Sequence, residues 1–180
     1  MKAYVDGLAE GVCDVHYLKC GSFHPLPEDV EAVALYSEEA VVFFPMPTYR
    51  LKEVARHEIL GHMSPRKALG QAAHIQWLWS VTRRMAGTKL WLEIEGLYGV
   101  DSPQTVADEV VARIAETDLN WRDKIAAMFG SKESQIRIEI HDLHNVARVT
   151  DWGQEFKYNR GYTRLVRENY EIFREEKQKR

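Results

Sequence analysis

The sequence predicts an α+β fold, a small antiparallel sheet followed by a mainly helical remainder. Two β-branched and aromatic runs, "VEAVALY" and "AVVFFP", flank the turn-like "SEE" in the first third of the chain. From Pro47 onward apolar residues recur at helical spacing, and Ser-Pro pairs and glycines mark starts and stops. At 180 residues, with 45% hydrophobic and 28% charged side chains, the chain is long enough to bury one core without staples. A single domain over 1–180 is expected.

Taken in order, residues 1–30 read as irregular, punctuated by Gly7, Gly11, Gly21, Pro25 and Pro27. Two antiparallel strands follow between about 33 and 45, the second stopped by Pro45. Pro47 and Thr48 open a helix through "YRLKEVARHEILGHM". Ser64 and Pro65 resemble a cap and first-turn proline for the next helix, which runs to Gly87. "KLWLEIEGLYG" is a shorter helix. Ser102 and Pro103 start another through "VADEVVARIAE", and "LNWRDKIAAMFG" ends at Gly130. "QIRIEIHDLHNVA" alternates like a strand at Ile136, Ile138 and Ile140, but the stripe Ile136, Ile140, Leu143, Ala147 lasts longer and predicts a helix. Residues 160–180 mix Arg and Lys with Glu, the pattern of a charged C-terminal helix.

The bulk numbers exclude several classes. A net charge of -3 gives no reason to expect nucleic acid as a partner. No apolar run approaches the roughly 20 residues of a membrane span, and "MKAYVDGLAEG" lacks the apolar core of a secretory signal, so the expected location is cytoplasmic. There is no Gly-rich phosphate loop and no serine or cysteine in a recognisable nucleophile setting.

"HEILGH", residues 57–62, carries the chemistry. In the common helical zinc-protease motif two histidines stand four apart with a glutamate after the first. Helical residues advance about 100° each, so partners four apart sit about 40° apart around the axis. His57 and His62 are five apart, about 140° on a regular helix, and would face away from each other. A single wide turn, a π-bulge, restores the alignment, and Gly61 beside His62 eases it.

"HEILGH" resembles the extended HExxxH motif of dipeptidyl peptidase III, and "AVVFFPMPTYRLKEVARHEILGH" is similar to zincin-like metallopeptidase modules of large polyvalent phage and plasmid proteins. The resemblance spans roughly residues 40–117. It implies a zinc metallopeptidase of the glutamate-zincin type acting on a polypeptide, virion-associated if of phage origin. Such families draw a third ligand from a downstream helix, and "ADEVVARIAE" points to Glu109, with Glu116 and Glu95 as fallbacks. Glu109, Arg113 and Glu116 lie opposite the apolar stripe Ala107, Val110, Val111, Ile114. Arg113 stands where the dipeptidyl peptidase pattern has a glutamate. The expected site is therefore His57, His62 and Glu109 on Zn2+, with Glu58 as general base. His141, His144, Tyr98 and Tyr49 are candidates for the oxyanion donor, and His144 completes the catalytic set.

Other constellations compete. Cys13, His16, Cys20 and His24 offer a second tetrahedral metal site, against two buried thiols and two surface imidazoles. His57 with His141, Asp142 and Asp151 invites an HD-type metal phosphohydrolase, a reading that leaves Glu58 unexplained. His74 with Trp77, Trp79 and Trp91 reads as core rather than ligand pocket. A different class altogether is a zinc-stabilised binding or virion-structural module without catalysis.

Overall fold

The computed structural model describes residues 1–18, 30–98 and 102–152. The α+β class holds: a three-stranded sheet packs against a helical body. The order of elements is α1 (Lys2–Ala9), β1 (Asp14–Tyr17), β2 (Ala32–Leu35), a 3-10 turn (Tyr36–Glu38), β3 (Ala40–Phe43), α2 (Thr48–Ala55), a π-helical segment (Arg56–Met63), α3 (Ser64–Met85), α4 (Lys89–Tyr98), α5 (Pro103–Ala115), α6 (Trp121–Met128) and α7 (Lys132–Ala147).

The sheet corrects the sequence reading in two respects. Residues 1–30 are not irregular throughout, since α1 buries Val5 and Ala9 on one face and β1 joins the sheet. Gly7 and the short length of both segments mask them in the sequence. The sheet is also mixed rather than purely antiparallel, in the order β1-β3-β2. β2 pairs antiparallel with β3, Ala34 opposite Val41, while β1 pairs parallel with it, Val15 opposite Val41. As the central strand β3 is covered on both faces, which is why "AVVF" is apolar throughout instead of alternating.

Val41 and Phe43 face a core shared with Val5, Leu51, Val54, Ile59 and Met63, whereas Val42 faces a small cluster with Leu18 and Leu35. The helical body has its own core, built by α3, α4, α5 and α7, and Leu60 belongs to that one. The π-helical segment thus runs between the two cores, sending Ile59 and Met63 to the sheet side and Leu60 to the helical side. All three are at most 1% exposed. Full burial of such side chains contributes roughly 1.5–3 kcal/mol each. That outweighs the roughly 0.5–1.5 kcal/mol net worth of a ladder hydrogen bond disturbed by a wide turn.

Helix boundaries follow local chemistry, with one correction. Ser102 accepts from Thr105 N at 3.1 Å ahead of Pro103, Asn120 accepts from Arg122 N at 2.8 Å, and Gly87 and Gly130 adopt positive φ after their helices. Ser64, however, is no cap: its backbone is helical and continuous with the π segment, and its hydroxyl donates back to Ile59 O at 2.7 Å. α3 is broken at Gly70, whose φ of 71° lies outside the helical region. "QIRIEIHDLHNVA" is helical as expected, with Ile136, Ile140, His144 and Ala147 buried along one face. The expected helix at 160–180 lies outside the described residues. Among the described residues, no helix is long and apolar enough to cross a membrane.

Candidate metal centre

The π-bulge demanded by the five-residue spacing is present: Arg56–Met63 is π-helical. Its cause can be read locally. Pro65 has no N–H to give to the carbonyl of Gly61, four residues back, so the regular ladder cannot close there. Ser64 instead bonds Ile59, five residues back, through its backbone N–H and its hydroxyl. His57 and His62 consequently meet, their rings 5.0 Å apart.

Gly61 has a further reason to be glycine. The segment crosses α5 so closely that a Cβ at position 61 would stand 2.4 Å from Ala112 Cα. This contact brings α5, and with it Glu109, up to the histidines. Arg56, 3% exposed, fastens the same two elements at the other end by donating from Nε to Ala115 O at 2.8 Å and also bonding Thr117 O and Asp118. A guanidinium there satisfies backbone carbonyls at the C-terminal end of α5 and suits its negative end.

His57, His62 and Glu109 form a group whose ligand atoms all lie within 4.8 Å of one another. His57 Nε2 and His62 Nε2 are 3.3 Å apart, and the Glu109 carboxylate oxygens lie 3.6 Å from the first and 3.8 Å from the second. Two nitrogens on a tetrahedral zinc at 2.0–2.1 Å would be about 3.3–3.4 Å apart. The histidines have that spacing, and Glu109 needs only a small inward shift. The donor set fits a metal ion.

The far side of each ring explains why both Nε2 atoms point inward. His57 Nδ1 is 3.0 Å from Glu116 Oε1, and His62 Nδ1 is 3.1 Å from Asp108 Oδ2. With carboxylates as acceptors, each Nδ1 is the proton-bearing nitrogen, which leaves the Nε2 atoms, turned toward Glu109, as the ones that would give up a proton to a metal. Burial opposes a charge on His62, but Asp108, Glu109 and Glu58 outweigh it and lift its pKa to about 10. The centre therefore favours positive charge. Asp108 is itself buried, yet the charges of His62 and Arg66 hold its carboxyl well below the usual range. Arg66 donates to it at 2.8 Å, and His74 Nε2 stands 3.7 Å from its other oxygen.

Glu58, the residue after the first histidine, lines the cleft beside the group. Burial raises its pKa, and the neighbouring histidines only partly counter this. The cleft measures about 310 Å³ and lies between β2, with Ala32, and the polar face of α5, with Glu109, Arg113 and Glu116. Thus the face that could have been merely solvated lines a cleft.

Several expected residues fall elsewhere. His144 does not line the cleft: it is 7% exposed, bonds Ser64 Oγ at 3.0 Å, and burial lowers its pKa to about 4. Ser64 gives its only proton to Ile59, so His144 Nδ1 is the donor between them, and its place is behind the bulge. Of the four donor candidates only Tyr98 lines the cleft, near Glu109, while Tyr49 is 77% exposed. Glu116 is not a ligand here but orients His57, and Glu95 is not part of the group. His141 and Asp142 on α7 are not brought together with His57 among the described residues, and Asp151 is exposed beyond α7.

Of the proposed second site, Cys20 and His24 lie outside the described residues. Cys13 packs with the Val41 side of the sheet, while His16 sits in register with Val42 on the opposite face, so those two do not converge. Burial pushes the Cys13 thiol up to about 12. His74 and Trp91 are buried as expected, and Trp79 is 42% exposed. Asp108 is the residue sequence reasoning missed. Its signal was a lone carboxylate beside the apolar stripe of α5, a place where an unpaired charge is costly and a partner must exist.

No family model matches the chain, and neither a curated protein nor a solved structure is significantly similar to it.

Proposed function

We propose that this chain is a zinc-dependent peptidase of the glutamate-zincin type, with His57, His62 and Glu109 as ligands. The observation that carries the reading is the pair of Nε2 atoms 3.3 Å apart, each ring backed by a carboxylate, with Glu109 facing both. Two imidazoles and a carboxylate leaving an open position are the ligand chemistry of catalytic zinc. When bound, zinc supplies Lewis acidity, lowering the pKa of water toward about 7 and polarising a carbonyl.

The chain's own groups supply the rest. Glu58, desolvated in the cleft wall, takes a proton from the attacking water and returns it to the leaving amine, so that water and an amide become a carboxylate and an amine. The Tyr98 hydroxyl, which hydrogen-bonds Glu109, is the cleft donor that would turn to the developing oxyanion. An extended polypeptide fits as an added strand beside β2, which lines the cleft and, among the described residues, pairs only with β3. Action in the cytoplasm, or in a virion, accords with this reading.

The test is Glu58→Gln against a pool of synthetic peptides. The variant should bind zinc and melt as wild type does, yet lose hydrolysis by about a hundred- to ten-thousand-fold. Zinc-loaded wild type that cleaves nothing, or a variant as active as wild type, contradicts the proposal and leaves the non-catalytic module standing.

A further inference from the structure

Two arginines line the cleft, and they are engaged differently. Arg50 is saturated: Nε and Nη2 grip Glu31 at 3.1 and 2.7 Å, and Nη1 holds Glu53 at 2.9 Å. Arg113 uses Nη1 alone, on both oxygens of Glu116 at 3.3 and 3.0 Å. Its Nε and Nη2 have no hydrogen-bond partner among the described residues, and the side chain is 41% exposed. The Nε and Nη2 edge of a guanidinium is a fork that matches a carboxylate with two parallel bonds, and Arg50 uses that same edge on Glu31.

Arg113 also stands at a defined distance from the centre. It is four residues beyond Glu109 on the same face of α5, about 6 Å along the helix. An extended peptide covers about 3.3 Å per residue, so this is the reach of about two residues. The same cleft is also lined by Ile94, Val54 and Ala32, which offer apolar contacts.

We infer that the open edge of Arg113 binds a substrate carboxylate, so that the cleft takes peptides carrying an anionic group within about two residues of the scissile bond. The inference rests on the peptidase reading above and names its substrate class. The carboxylate is supplied either by the peptide's C-terminus or by an Asp or Glu side chain. Holding Glu116 against His57 does not account for the geometry, because Nη1 suffices for that.

The experiment uses the zinc-loaded full chain and a pool of synthetic peptides made in pairs, each as the free acid and as the C-terminal carboxamide, half of them with an internal Asp or Glu. Cleavage is followed by mass spectrometry. Wild type should cut bonds near a carboxylate about tenfold to a hundredfold faster than the same bonds without one, the range set by a charge-assisted pair. Cuts confined to free acids assign the terminal carboxylate; cuts beside internal acids in the carboxamides assign the side chain. Arg113→Gln should erase the preference chiefly through KM, with Arg113→Lys intermediate. A preference absent in wild type or persisting in Arg113→Gln overturns the inference while the peptidase reading stands. An equal loss of kcat on every peptide also overturns it, since Arg113 would then act only through Glu116. No cleavage of any peptide by wild type overturns both.

Discussion

At the scale of single residues, Asp108 holds the His62 ring in place through Nδ1 at 3.1 Å. Asp108 is in turn held by Arg66. Asp108→Asn keeps the shape but removes the charge that sets the proton on Nδ1. Zinc affinity, measured by competition with a chelator, should fall about 10–100-fold, the usual cost of losing such a support. Unchanged affinity would mean that Asp108 only packs. His144 permits a prediction in pH. Its folded pKa of about 4 is below the ordinary 6.5, so the fold holds it neutral. Between those values the unfolded chain binds the proton and the native one does not. The stability it contributes is therefore full above about pH 6.5, is lost as pH falls, and is gone below about 4. Melting temperature should drop through that window, and His144→Gln should flatten the drop. An equal slope in the variant would refute the assignment.

At the scale of elements, the π segment is the device on which the centre depends, and much of it was legible. A motif one residue too long and a glycine before the second histidine both point to the wide turn, whereas Pro65 reads in the sequence as a helix start and shows its part in the turn only in the structure. What the sequence could not show was why Gly61 is glycine. The reason is tertiary, the approach of Ala112 from α5, and not local ease of bending. Gly61→Ala should therefore separate α5 from the π segment, costing about 1–3 kcal/mol in denaturant unfolding as overpacking does and weakening zinc binding through Glu109. A variant with full stability and affinity would show that α5 yields. Ser64 misled for the same kind of reason: Ser-Pro signals a helix start, but here the preceding helix continues into it and the hydroxyl serves the bulge. β1 was illegible because four residues become a strand only when β3 offers an edge.

At the scale of the whole molecule, the centre sits where the two cores meet. The sheet side holds α2, the helical side holds α5, and the candidate ligands are a histidine pair from the π segment running between the cores and one carboxylate from α5. Class, the helix order beyond Pro47 and the candidate pair His57 and His62 could be read from periodicity and motif. Glu109 required resemblance, and the supports Asp108 and Glu116 emerged only when α5 was placed against the histidines. His144 was misplaced because two imidazoles three apart on a helix reveal a shared face but not which side of the fold it meets. The extra residue in "HEILGH" is absorbed by a π-bulge, which turns both histidines toward the place of one ion. The most direct measurement is elemental mass spectrometry of the full chain purified without chelators or a metal-affinity tag, wild type beside His62→Ala. A single zinc per chain in wild type, lost in the variant, is the predicted result. No bound metal in wild type after zinc is supplied, or equal metal in both, would contradict it.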